Sequence, residues 1–297
     1  MDIALTLVVN PEYGTALKEA EKTALDTLGA PPTGGTLLSE GKAIDLIFSG
    51  KVQETAKSAL QQGLDSLVGV DWALQPLEGR KKKLLVADMD STMITVECID
   101  ELADFIGLKA EVSEVTEAAM RGELNFETAL IERVALLKGL SKDKLAACYR
   151  DRIELMSGAR TLVQTMKAAG AYSALVSGGF TYFTEKVATA IGFDMNRANT
   201  LELENDALTG TVVPPICGAQ AKLDTLGQLA AIRKLKTEEI IAVGDGANDI
   251  PMISAAGLGV AYRAKPKTRE AAHAAVTYSD LTTLLYFQGY NAEEFVD

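Results

Sequence analysis

The chain carries a single histidine, His273, and only three cysteines, and each scarcity removes a class of chemistry. A Ser-His-Asp triad, a histidine phosphatase or a His-rich zinc site would all have to rest on His273. It stands in EAAHAAV, a stretch that reads as helical with no motif around it, so a surface or packing role is expected. Cys98, Cys148 and Cys217 lie far apart without C-x-x-C spacing and read as free thiols of a reducing cytoplasm. None has an arginine six positions later, so a cysteine-phosphatase loop is absent. GGTLLSEGKA falls short of a P-loop: its spacing is off by one, and Ala43 stands where Ser or Thr should bind magnesium. No apolar run is long enough to span a bilayer. The start, MDIALTLVVNPEYG, lacks the basic segment of a signal peptide, and a cytoplasmic location is expected. Positive charge is also short. With 29 Lys and Arg against 41 Asp and Glu, the net charge is -12, which makes nucleic acid and anionic membranes poor partners. An anionic small substrate then needs local cations or a metal.

What is present supports a substantial core: 297 residues, 47% hydrophobic, enough for two domains or one with a large insertion. Residues 3–9 read as a strand, 12–28 as a helix, 37–38 and 43–48 as strands, 51–62 as a helix and 66–72 as a further extended piece. This β-α-β-β-α-β order within residues 1–78 is that of a small α+β ferredoxin-like domain. Glu78–Lys83 reads as a polar linker. From Leu84 the rhythm becomes strand then helix, the sign of an α/β domain with a parallel sheet, over residues 79–297. Its expected strands are 84–87, 171–176, 240–243 and 258–261, apolar throughout because both faces are covered. Between the first two lies a helical stretch, about 98–156, large enough to be a lid.

Three of these strands end in polar residues, and ligands of open parallel sheets bind beyond the carboxyl ends. The ends are Asp88-Met89-Asp90-Ser91-Thr92, Ser177-Gly178-Gly179 and Gly244-Asp245-Gly246-Ala247-Asn248-Asp249. Side chains two apart on a strand share a face, so Asp88 and Asp90 would point the same way and repel, a pair tolerable only with a cation, a proton or an anion-free pocket. Asp88, Asp90 and Asp245 make an oxygen-rich set without His or Cys, which suits Mg²⁺. Ser177 and the N–H groups around Gly178 could meet an anion, with Lys222 of GAQAKLDTL adding charge. A carboxylate can attack phosphorus while a second moves the proton.

DMDST, VSGG, the isolated lysine and GDGANDIPM, in that order over residues 84–262, resemble the haloacid dehalogenase-like phosphohydrolases. The resemblance implies a Rossmann-like core with an inserted helical cap. It makes Asp88 the nucleophile and Asp90 the general acid and base. It gives Mg²⁺ to Asp88, the main-chain carbonyl of Asp90 and Asp245, with Asp249 in support. Ser177 and Lys222 bind the phosphoryl group, and Asn248 orients near it. DMDSTMITVECIDELADFIG and MRGELNFETALIERVALLKG further resemble the phosphoserine phosphatase subfamily. That likeness implies Glu97 for the substrate ammonium, Arg133 for its carboxylate, and Met120 and Phe126 closing over it. The implied reaction is hydrolysis of O-phospho-L-serine, the last step of serine biosynthesis. A phosphatase for another small ester, or a phosphotransferase, stands as the alternative. The N-terminal segment is similar to an ACT-like domain in element order. Serine sensing or homodimerisation is one reading of it; a stabilising appendage is the other.

Overall fold

A computed structural model describes residues 2–50 and 52–297. The N-terminal unit runs β1 (Asp2–Val9), α1 (Leu17–Leu28), β2 (Gly34–Ser39), β3 (Ala43–Ser49), α2 (Glu54–Asp65) and β4 (Val70–Pro76). β1 is central: it pairs antiparallel with β3 and β4, giving the order β2-β3-β1-β4. Its side chains alternate between two covered faces. Leu5, Leu7 and Val9 pack on Leu17, Ala20 and Ala24 of α1 and on Leu60 and Leu64 of α2. Each such leucine contributes about 1.5–3 kcal/mol of burial.

The second unit begins with β5 (Leu84–Ala87) and four helices, α3 (Cys98–Asp104), α4 (Lys109–Met120), α5 (Phe126–Leu136) and α6 (Lys142–Arg152). Then come α7 (Ala159–Ala168), β6 (Tyr172–Phe180), α8 (Thr181–Ile191), the hairpin β7 (Met195–Glu204) and β8 (Ala207–Val213), and α9 (Ala219–Arg233). The chain closes with β9 (Ile240–Gly244), α10 (Ile250–Ala255), β10 (Leu258–Tyr262), α11 (Pro266–Ala271), β11 (Ala274–Val276) and α12 (Thr283–Phe287). Strands β11-β10-β9-β5-β6-β7 pair in parallel, with β8 antiparallel at the edge. β5 is wholly buried and sits between β9 and β6, the point where the winding reverses.

The two units share one 11-stranded sheet, because β4 pairs antiparallel with β11. The face of the N-terminal sheet away from α1 and α2 is covered from within the chain: Val8, Leu38, Ala43 and Ala73 join one core with Leu284, Leu285 and Tyr286 of α12. The stretch 78–83, expected as a solvated linker, is instead a bolt. Arg80 and Lys82 are buried, while Lys81 and Lys83 stay exposed. Arg80 forks onto Asp45 of β3 (2.7 and 2.9 Å), bonds Thr6 of β1 and reaches the Phe287 carbonyl of α12. A run of charge reads as solvent-facing when its buried acceptors lie far away in sequence. The helical reading around His273 also changes. The helix stops at Ala271, Ala274–Val276 become a strand beside β10, and His273 Nδ1 accepts from the Gly259 N–H at 2.9 Å.

Candidate active site

β5 ends at Ala87, one residue short of Asp88, so Asp88 and Asp90 do not share a strand face as expected. Asp88 N–H still bonds Val243 of β9, but from Met89 the chain winds into a turn, with the Met89 carbonyl accepting from Thr92, Met93 and Ile94. Ser91 takes φ 56°, a left-handed backbone that costs a non-glycine residue about 1–3 kcal/mol. That strained turn aims the Ser91 hydroxyl at Glu97 (2.6 Å), just before α3. The turn brings both aspartates to the carboxyl end of the sheet.

β6 runs on to Phe180 through a register irregularity after Val176, and the Ser177 hydroxyl accepts from the Gly179 N–H (2.9 Å). A Cβ at Gly179 would strike Asp90 Oδ2, and one at Gly178 would strike the Phe126 ring. The two glycines therefore allow the Asp88–Thr92 loop and the cap to close on this strand end.

Beneath the loops lies a buried charge cluster. Lys222 Nζ meets Asp88 Oδ1 at 2.8 Å and Asp249 Oδ1 at 2.6 Å. The other Asp249 oxygen accepts from the N–H groups of Asp245 and Gly246, so Asp249 holds both the lysine and the loop. Asp245 has the Thr92 hydroxyl at 3.1 Å. Burial alone would push Lys222 down, but Asp249 and Asp88 more than offset it and hold it charged. Burial lifts the Asp88 carboxyl, helped by Asp249 and opposed by Lys222. It lifts Asp245 as well, with Glu97 and Asp249 adding repulsion. Asp90 is pushed up to about 7, again mainly by burial.

These residues fit a divalent cation. Asp88, Asp245 and Asp249 present oxygens within 4.8 Å of one another, buried and without His or Cys among them. One lysine cannot neutralise three buried carboxylates, and hard oxygen donors of this kind suit Mg²⁺.

Above the cluster, at the seam of core and cap, is a cavity. Asp88, Asp90, Glu97, Met120, Phe126, Arg133, Ser177, Gly178 and Asn248 all line it, whereas Lys222, Asp245 and Asp249 lie below. Asn248 Oδ1 is buried without a hydrogen-bond partner among the described residues. Glu97 is pushed up to about 8, by burial first and then by Asp90. Arg133 is buried with its Nε on the Ala129 carbonyl and its Nη1 on the Thr116 hydroxyl. Lys265, beyond β10, pairs with Glu117 of α4 and ties the cap to the core. The sequence reading missed Thr116, Ile99 and Leu130 as lining residues. Thr116 carried no motif signal, being one polar residue on an amphipathic helix.

The chain belongs to the haloacid dehalogenase-like hydrolase family, which it matches over residues 85–254. Within that family it is similar to phosphoserine phosphatases. That of Polaromonas sp. is 48% identical over 212 residues, 68% of this chain and 88% of the relative. That of Streptomyces coelicolor is 44% identical over 254 residues, 85% of this chain but 62% of the relative. Among solved structures, a HAD-family hydrolase from Salmonella enterica serovar Typhi has TM-score 0.84 at 31% identity, covering 96% of this chain and 98% of that one. A phospho-aspartyl intermediate analogue of phosphoserine phosphatase has TM-score 0.67 at 39% identity, covering 69% and 98%.

Proposed function

We propose that this chain hydrolyses O-phospho-L-serine to L-serine and phosphate through a phosphoaspartate on Asp88. One observation carries the reading beyond a generic phosphatase. The cavity over Asp88 is lined by a carboxylate, Glu97, and by a buried guanidinium, Arg133, with no ion-pair partner among the described residues. Phosphoserine has an ammonium for the first and a carboxylate for the second.

In the proposed reaction an Asp88 oxygen bonds to phosphorus as the bond from phosphorus to the serine oxygen breaks. Asp90, carrying a proton near neutrality, gives it to the departing oxygen. Water then attacks the phosphoaspartate, Asp90 takes its proton, and phosphate leaves with Asp88 restored. Ser177 and Lys222 hold the phosphoryl oxygens, and Asn248 orients beside them. Asp88, Asp245 and the Asp90 carbonyl would hold Mg²⁺, with Asp249 steadying the site through Lys222. When bound, that ion keeps Asp88 ionised and offsets charge on the phosphoryl group. Met120 and Phe126 close the cap and exclude water. The free thiols favour a cytoplasmic setting. A homodimer through the N-terminal unit would use the open edge β2, since α12 covers the sheet face.

The test is phosphate release from O-phospho-L-serine and a panel of other phosphomonoesters, with Mg²⁺ and with EDTA. Selective, EDTA-sensitive release from phosphoserine is expected, and none from Asp88→Asn. Preference for another ester would overturn the substrate while keeping the aspartyl chemistry.

A further inference from the structure

We propose that Thr116 and Asp100 form a positioning relay that keeps Arg133 open for a carboxylate, and so set the preference for amino-acid phosphates over simpler esters. The inference rests on the phosphoserine reading above. Arg133 of α5 donates through Nη1 to Thr116 Oγ1 of α4 at 2.7 Å. Thr116 Oγ1 lies 2.6 Å from Asp100 Oδ1 of α3, and Ser113 donates to the other Asp100 oxygen at 2.7 Å. The Val112 carbonyl, at 3.0 Å, is the weaker acceptor for the same threonine proton. A hydroxyl has one proton. Thr116 gives it to Asp100 and must therefore accept from Arg133, which sets the direction of the chain. Thr116 and Asp100 are both buried, so these bonds are not exchanged for bonds to water.

The position of the hydroxyl carries the argument. A carboxylate placed directly on Arg133 would take its fork of N–H groups and compete with the substrate. Burial works against the charge on Arg133, and Glu97, then Asp100 behind Thr116, then Asp90 favour it without touching the guanidinium. Two guanidinium nitrogens are fixed by the protein, Nη2 has no partner among the described residues, and Arg133 lines the cavity beside Thr116. Three cap helices thus converge on the orientation of one side chain.

The test compares two substrates, O-phospho-L-serine and O-phosphoethanolamine, which keeps the phosphate and ammonium but lacks the carboxylate. Thr116→Val, close to isosteric, should lower kcat/KM on phosphoserine roughly 10- to 100-fold, the scale of a buried hydrogen bond to a charged group, mainly through KM. On phosphoethanolamine the change should stay under about twofold. Thr116→Ser should recover most of the loss, and Asp100→Asn should repeat the pattern more weakly. Equal losses on both substrates would reduce Thr116 to a part of the cap fold and overturn the proposal, as would no loss on either. A wild-type enzyme with no preference for phosphoserine would remove the substrate reading and the relay with it, an outcome visible before any variant is made.

Discussion

Two arginines of this chain are buried to the same degree, Arg80 at 6% and Arg133 at 5% exposure, and their surroundings are opposite. Arg80 is closed. Asp45 meets both of its Nη atoms, and Thr6 and the Phe287 carbonyl take further donors. Arg133 has one carbonyl and one hydroxyl, and its nearest carboxylates act only from a distance. A buried charge without a direct partner is costly, so a chain that keeps one has a use for the open fork. Arg80 locks two units of one sheet together; Arg133 is left with an open fork, which the proposed function fills with the substrate carboxylate. Burial and residue type are equal, and partners alone separate the two.

Removing the open arginine should move activity without moving stability. For Arg133→Ala, kcat/KM on phosphoserine should fall by about 10³-fold, within the range for unpairing a buried charge, while an aryl phosphate loses less than about tenfold. Thermal melting should stay level or rise, because a buried cation without a direct ion-pair partner is gone. Equal losses on both substrates would argue against recognition by Arg133. Opening the closed arginine should do the reverse. Asp45→Asn should cost about 3–5 kcal/mol in urea unfolding, the scale of a broken buried ion pair. Its kcat/KM on phosphoserine should stay within about threefold of wild type. An unchanged unfolding midpoint would mean that the bolt carries little of the stability.

The same contrast marks what could be read from the sequence. The chemical strings DMDST, Ser-Gly-Gly and GDGAND are local, and each stands at the end of an apolar run that identifies a buried strand. The parallel core followed from those runs, and the N-terminal β-α-β-β-α-β order from hydrophobic spacing. What stayed hidden is non-local. The Arg80–Asp45 pair spans 35 residues and the Arg80–Phe287 bond spans 207, so a seam of the fold looked like a charged linker. β11 is three residues of alanine and valine whose strand state comes from pairing with β10 and β4. From Met89 the chain winds into a turn with a left-handed Ser91, where a continuing strand was expected. Thr116 looked like any polar residue of an amphipathic helix until α3 and α5 closed on it.

Lys82, two residues from Arg80, stands between the two arginines in kind, and it yields the smallest effect. It is buried, its Nζ donates to the Gly79 and Glu238 carbonyls at 2.9 and 2.8 Å, and no carboxylate pairs with it among the described residues. Burial first, then repulsion from Arg80, brings it down to about 8, with Glu238 opposing. The unfolded value is about 10.4. Below about pH 8 the lysine is charged in both states, and the cost of burying the charge is fully present. As pH rises from about 8 to about 10.4 the folded state sheds its proton first, and stability relative to a variant without the amine increases. Above that range both states are neutral and the cost is gone. A neutral amine still offers two N–H groups, so both carbonyls keep their bonds. Lys82→Met removes the titration, so the wild-type-minus-variant stability should climb by about 1 kcal/mol across the window, after allowance for relaxation around the amine. Urea unfolding of both proteins at about pH 7.5 and about pH 10 reads that difference directly. A flat difference would mean that Lys82 keeps an ordinary lysine pKa, held as firmly by carbonyls as Arg80 is by Asp45.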